Sequence, residues 1–141
     1  MFKVVLAIDT DLDRARNQAT VVAELPDAPN SVSVTVLHVF PELQGDEGRQ
    51  IEIKDYADTP EAMRVAVEIL EEHGLCVEAR TESGTIEAEI LRVARELDAD
   101  CIAIGGRERS PAGKAVFGSV SQAVILNADR SVLTVGNHET E

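Results

Sequence analysis

The stretch Cys101-Ile102-Ala103-Ile104-Gly105-Gly106-Arg107-Glu108-Arg109-Ser110-Pro111-Ala112-Gly113-Lys114, continuing through Phe117 to Gly118-Ser119, decides the fold. Its first four residues suit a strand buried on both faces, and the glycine pair is expected to break that strand. Ser119 to Leu126 then reads as a helix. Strand, glycine-bearing connection and helix start form the setting in which backbone N–H groups bind phosphate. The connection carries Arg107, Arg109 and Lys114 against one acid, Glu108. It is not a P-loop, because Glu108 holds the place of the leading glycine and Ala115 that of the Ser or Thr. It is not the dinucleotide G-x-G-x-x-G either. An anion site and a plain structural loop both remain open on these residues.

Outward from this stretch, strand and helix signals alternate along the whole chain. Phe2 to Ile8 is a near-continuous apolar run ended by Asp9. Leu12, Ala15, Ala19 and Val22 follow at helical spacing, and Pro26 to Asn30 closes that helix. Val32, Val34, Val36 and His38-Val39-Phe40 form a second, β-branched strand. Residues 41–58 are charged and lack a clean period, which predicts a long connection. Thr59-Pro60-Glu61 predicts a helix start, with Thr59 capping and Pro60 at the first helical position. Met63, Val67 and Leu70 share its inner face, and Gly74 stops it. Leu75 to Thr81 is a third strand, and Thr85 opens a helix with Ile86, Ile90, Ala94 and Leu97 inward. Val132 to Val135 is the last strand. Such alternation predicts a single α/β domain over residues 1–141 with a mainly parallel sheet.

Charge narrows the function classes. Of 141 residues, 26 are acidic and 13 basic, a formal net charge of −13. So negative a surface repels nucleic acid and anionic membranes, whose binding depends on neutralised phosphates. An aromatic content of 3% leaves little to stack on bases. Crowded carboxylates with only three lysines (Lys3, Lys54 and Lys114) fit a protein working in concentrated salt. The longest apolar run, Val4 to Ile8, is far below the ~20 residues of a membrane helix. Two cysteines without a CxxC pair suggest a reduced, cytoplasmic setting.

Three groups of residues invite a chemical reading. Asp9, Asp11 and Asp13 do not make a calcium loop, since Arg14 and Thr20 stand where Gly and Glu are required. A strand ending in Asp9-x-Asp11 allows a phosphatase-like hydrolase as a weak alternative. The plainer reading has Asp11 and Asp13 favouring the positive N-terminus of the first helix. Asp9 is separate, because it ends a buried strand where α/β sheets open their ligand crevice. His38, His73 and His138 read as structural or solvated, and no catalytic constellation emerges.

The segment from Gly105 to Val120 resembles the universal stress protein family. Nucleotide-binding members carry Gly, two residues, Gly, nine residues, then Gly-Ser or Gly-Thr. Gly105 and Gly118-Ser119 match, while Glu108 replaces the second glycine. The strand ending in Asp9, Leu37-His38-Val39, and Ser131 to Val135 agree as well. The resemblance implies a Rossmann-like, five-stranded parallel sheet ordered 3-2-1-4-5 with helices on both faces. It also implies an adenine nucleotide (ATP, ADP or AMP, with or without magnesium) at Asp9, Val39, Gly105, Gly118, Ser119 and Val120. Arg107, Arg109 and Lys114 are expected either to offset Glu108 at the nucleotide or to pair with surface acids. A non-enzymatic regulatory domain is expected, homodimeric through residues 132–135 and acting on an unidentified protein partner. The alternative is a member that binds no nucleotide and acts by protein contact alone. In the implied order Cys76 and Cys101 stand three strands apart, roughly 14 Å, too far to bridge.

Overall fold

The computed structural model describes residues 1–41, 43–44, 50–51, 60–109 and 115–136, with backbone only at 43–44, 50–51, 106–109 and 115–116. Strands β1 (Phe2–Ala7), β2 (Val32–Pro41), β5 (Cys76–Gly84), β6 (Cys101–Arg109) and β8 (Ser131–Gly136) carry the sheet. Helices α1 (Leu12–Ala23), α2 (Ala28–Ser31), α3 (Glu61–Glu72), α4 (Ile86–Glu96) and α5 (Ser119–Asn127) connect them. Three short strands, β3 (Leu43–Gln44), β4 (Gln50–Ile51) and β7 (Ala115–Phe117), complete the set. The five long strands are parallel in the order β5-β2-β1-β6-β8, which is 3-2-1-4-5 counted along the chain.

Alternation along the strands divides the core into two layers. Val4, Leu6, Val34 and Val36 face α1 and α3, where Ala15, Ala19, Val22, Ala66 and Leu70 meet them. Val5, Leu37 and Ile102 face the other way, against Ile90, Val93 and Val124 of α4 and α5. Alanines at 15 and 19, both fully buried, let α1 lie close on the sheet. Fully buried side chains such as Leu6, Leu37 and Leu70 each contribute roughly 1.5–3 kcal/mol.

Chain ends of the helices follow local chemistry. Asp11 caps α1 by accepting the Arg14 N–H at 2.9 Å. Gly74 terminates α3 at φ +85, a conformation that costs glycine little. Beyond α4, Arg130 donates to the carbonyls of Ala94 and Ala99 at 3.1 and 2.7 Å, closing the helix end against β8. Arg80 and Arg92 bridge Glu82, Glu89 and Glu96, tying α4 to the β5 edge. The Arg80 guanidinium holds the Glu96 carboxyl below its usual range, and the glutamates push both arginines further up.

Four sequence expectations change. β6 does not break at Gly105-Gly106 but runs on to Arg109, where β7 folds back antiparallel, with Glu108 opposite Val116. A register shift against β8 falls between Gly105 and Arg107, so the glycines form an irregularity inside a strand. The cause lies across the sheet: Ala115-Val116-Phe117 supplies a hydrogen-bonding partner that a local reading does not supply. Pro60 takes the cap position of α3 rather than the first helical one, and Thr59 lies outside the described residues. Within the connection at 41–58, β3 and β4 pair antiparallel, with Leu43 opposite Ile51. The third strand also continues three residues past Thr81, to Gly84, along β2. Cys76 and Cys101 are both free thiols, on strands three positions apart.

Candidate functional site

In the order 3-2-1-4-5 the chain leaves the central strands β1 and β6 in opposite directions, which opens a crevice at their carboxyl ends. A cavity of about 370 Å³ lies there. That volume falls in the range of small-molecule sites. β1 and its exit supply Ala7 to Thr10, and β2 supplies Leu37 to Pro41. Ile86 and Ile90 of α4 make an apolar wall, with Ile104 and Gly105 from β6 and Val120 and Ser121 from α5. Arg14 and Gln18 of α1 close the remaining side.

Of the residues singled out from sequence, Asp9, Val39, Gly105 and Val120 line this cavity together. Gly118 and Ser119 are the cap and first residue of α5, one step from the lining residue Val120, and both are exposed. A Cβ on Gly118 would meet nothing within 4 Å. Arg107 and Arg109 lie in the extended part of β6, and Ser110 to Lys114 and the side chains at 107–109 lie outside the described residues.

Asp9 Oδ1 accepts the Asp11 N–H at 2.9 Å, and Oδ2 is paired with the Arg14 guanidinium. Both local acids of the phosphatase-like reading are therefore engaged at the helix start, Asp11 as its cap and Asp9 with Arg14. No group of three His, Cys, Asp or Glu side chains among the described residues could hold a metal ion. No helix among them is long and apolar enough to cross a membrane.

Four residues build the crevice without having been marked for it in the sequence, although His38 reads there as structural. Gln18 is 1% exposed and donates to the Ala7 carbonyl at 2.7 Å. Its amide sits mid-helix, where only the strand end beneath it explains a buried polar group. Ser121 donates to the Gly105 carbonyl at 2.7 Å, fastening α5 to β6. His38 Nδ1 donates to the Ile8 carbonyl at 2.8 Å, joining the ends of β1 and β2, and its ring meets Phe40 edge-on. Arg14 was visible only as a helix residue; its pairing with Asp9 at i−5 needs the turn between strand and helix.

Fold and cavity together define a doubly wound α/β domain with a ligand crevice at its topological switch point. The sequence profile described as the universal stress protein family matches residues 1–136. The chain belongs to that family. It is 37% identical over 70 residues to a universal stress protein of Mycolicibacterium smegmatis, a match covering 49% of this chain and 54% of that relative. A universal stress protein structure from Archaeoglobus fulgidus is 34% identical, covers 96% of this chain and 98% of its own, and superposes with TM-score 0.72. The structure of the universal stress protein from Archaeoglobus fulgidus in complex with dAMP is 28% identical over 96% of this chain and 98% of that one, with TM-score 0.68.

Proposed function

We propose that the protein is a regulatory domain that binds an adenine nucleotide with few phosphates in the crevice between β1 and β6. One observation carries the reading: Asp9, Val39, Gly105 and Val120, chosen from sequence, line one cavity of suitable size. The dAMP complex of a relative with the same fold supports it. Apolar Ile86, Ile90 and Ile104 suit a base, and the start of α5 suits a phosphate. Glu108 stands where the family's phosphate-binding pattern has a glycine, and a carboxylate about 4 Å from a phosphate would repel it by about 1 kcal/mol in water and about 4 at an effective dielectric of 20. The reading assigns no catalytic group, needs no magnesium for AMP, and places the protein in a reducing cytoplasm, in keeping with two free thiols.

Calorimetry in matched molar KCl, with and without magnesium, tests this. AMP is expected to bind more tightly than ATP, and Glu108→Gly is expected to tighten ATP more than AMP. Wild type that binds neither nucleotide would favour the protein-contact alternative.

Dimerisation through β8 is the second part of the proposal. Among the described residues β8 pairs only with β6, so its other edge is available, and its Val-Leu-Thr-Val run carries no charge or proline to deter pairing. Leu133 and Val132 pack against the two core layers, so a charge there would disturb folding as well as assembly. Thr134 is the better probe. Thr134→Lys is expected to shift the sedimenting species from dimer to monomer with its circular dichroism unchanged; a monomeric wild type at high concentration would end the idea.

A further inference from the structure

Arg14 is the single arginine or lysine among the described residues lining the crevice, and the fold holds it there from both ends. Its backbone N–H is bonded to the capping carboxylate of Asp11, which fixes the first turn of α1. Its stem lies over Gly105: a Cβ built on that glycine would come within 2.8 Å of Arg14 Cγ. Its guanidinium meets Asp9 Oδ2, and the side chain is 22% exposed against 52% for Asp9. The charged head is thus set at the crevice mouth with little freedom left to lose on binding.

We infer that Arg14 reads the phosphate nearest the nucleoside, so that the site discriminates a nucleoside monophosphate from the bare nucleoside. This rests on the nucleotide reading above. Two effects act in the same direction. A guanidinium presents N–H donors in a planar fork suited to phosphate oxygens. It also neutralises Asp9, whose carboxylate would otherwise repel an anion entering the same crevice. A nucleoside without phosphate gains from neither effect, and the Asp9 carboxylate accepts its hydroxyl donors with or without Arg14. The general anion affinity of a helix start would not single out this residue. Arg14 is singled out because its stem lies against Gly105, the residue whose carbonyl accepts the Ser121 hydroxyl of α5.

The test compares adenosine with AMP by calorimetry in matched molar KCl, on wild type, Arg14→Met and Arg14→Lys. Methionine keeps an unbranched stem over Gly105 and removes the charge. The preference of wild type for AMP over adenosine is expected to fall by about tenfold or more in Arg14→Met, with adenosine affinity changed less than about threefold. Arg14→Lys is expected to restore most of the preference. Equal loss of both ligands in Arg14→Met would overturn the inference and leave the nucleotide site standing, since Arg14 would then act only by holding the crevice together. An unchanged AMP preference would overturn it as well. Wild type that binds neither ligand would instead overturn the nucleotide reading, and this inference with it. Thermal melting of each variant runs in parallel, and Arg14→Gln replaces Arg14→Met if the latter does not fold.

Discussion

Gly105→Val is expected to lower the unfolding free energy by roughly 2–6 kcal/mol and to abolish AMP binding. The cause is steric and polar together. A Cβ at this position would stand 2.8 Å from Arg14 Cγ and 2.9 Å from Gln18 Cδ and Oε1. Overpacking of this kind costs about 1–3 kcal/mol. Gln18 cannot yield cheaply, because it is 1% exposed and donates to the Ala7 carbonyl. Moving it leaves a buried amide and a carbonyl without partners, at about 1–3 kcal/mol more. Gly105→Ala should fall between wild type and Gly105→Val, since alanine adds only the first offending atom. Denaturant titration in molar KCl measures both, and a valine variant within about 0.5 kcal/mol of wild type would mean that α1 relaxes freely over β6.

The melting temperature is expected to rise by about 10 °C or more between dilute buffer and molar KCl. Two effects compete. Screening weakens the Arg80–Arg92–Glu82–Glu89–Glu96 network, but exposed pairs contribute only about 0.2–1 kcal/mol each. Screening also relieves repulsion within a net charge of −13. Like charges about 10 Å apart in water repel by about 0.4 kcal/mol, and a net charge of −13 on one small domain makes some tens of like-charge pairs at this distance or somewhat beyond. At 0.01 M salt the Debye length is about 30 Å and leaves these repulsions in place; at 1 M it is about 3 Å and removes most of them. Relief of a few kcal/mol exceeds the loss from the network, and a domain of this size gains about 4 °C per kcal/mol. A flat profile in calorimetric scans from dilute to molar KCl would show that the acids are already spaced beyond mutual repulsion.

How far the site could be read from the chain depends on whether its residues are signalled locally. Asp9 and Gly105 were legible because each sits where an apolar run stops, and such ends face the crevice in any doubly wound sheet. Val39 and Val120 came only through the family pattern. Gln18 and Ser121 were not legible, and His38 was legible only as a structural histidine, because their partners are carbonyls 11, 16 and 30 residues away: Ala7, Gly105 and Ile8. Nothing in the residues around them marks that partner.

The sequence by itself determined the alternation of strands and helices, the faces they bury and the acidic surface. These are short-range properties: Val4 and Leu6 point one way and Val5 the other because successive strand residues must, and α1 begins at Asp11 because its own carboxylate caps it. Tertiary structure alone decided that β6 continues past its two glycines. Glycine has no strong preference between strand and turn, so the outcome passed to distant partners, β7 on one segment and β8 on the other. It also decided that Arg14 would lie on Asp9 and Gly105, because a helix residue meets the end of a neighbouring strand only after β1 and β6 have paired side by side.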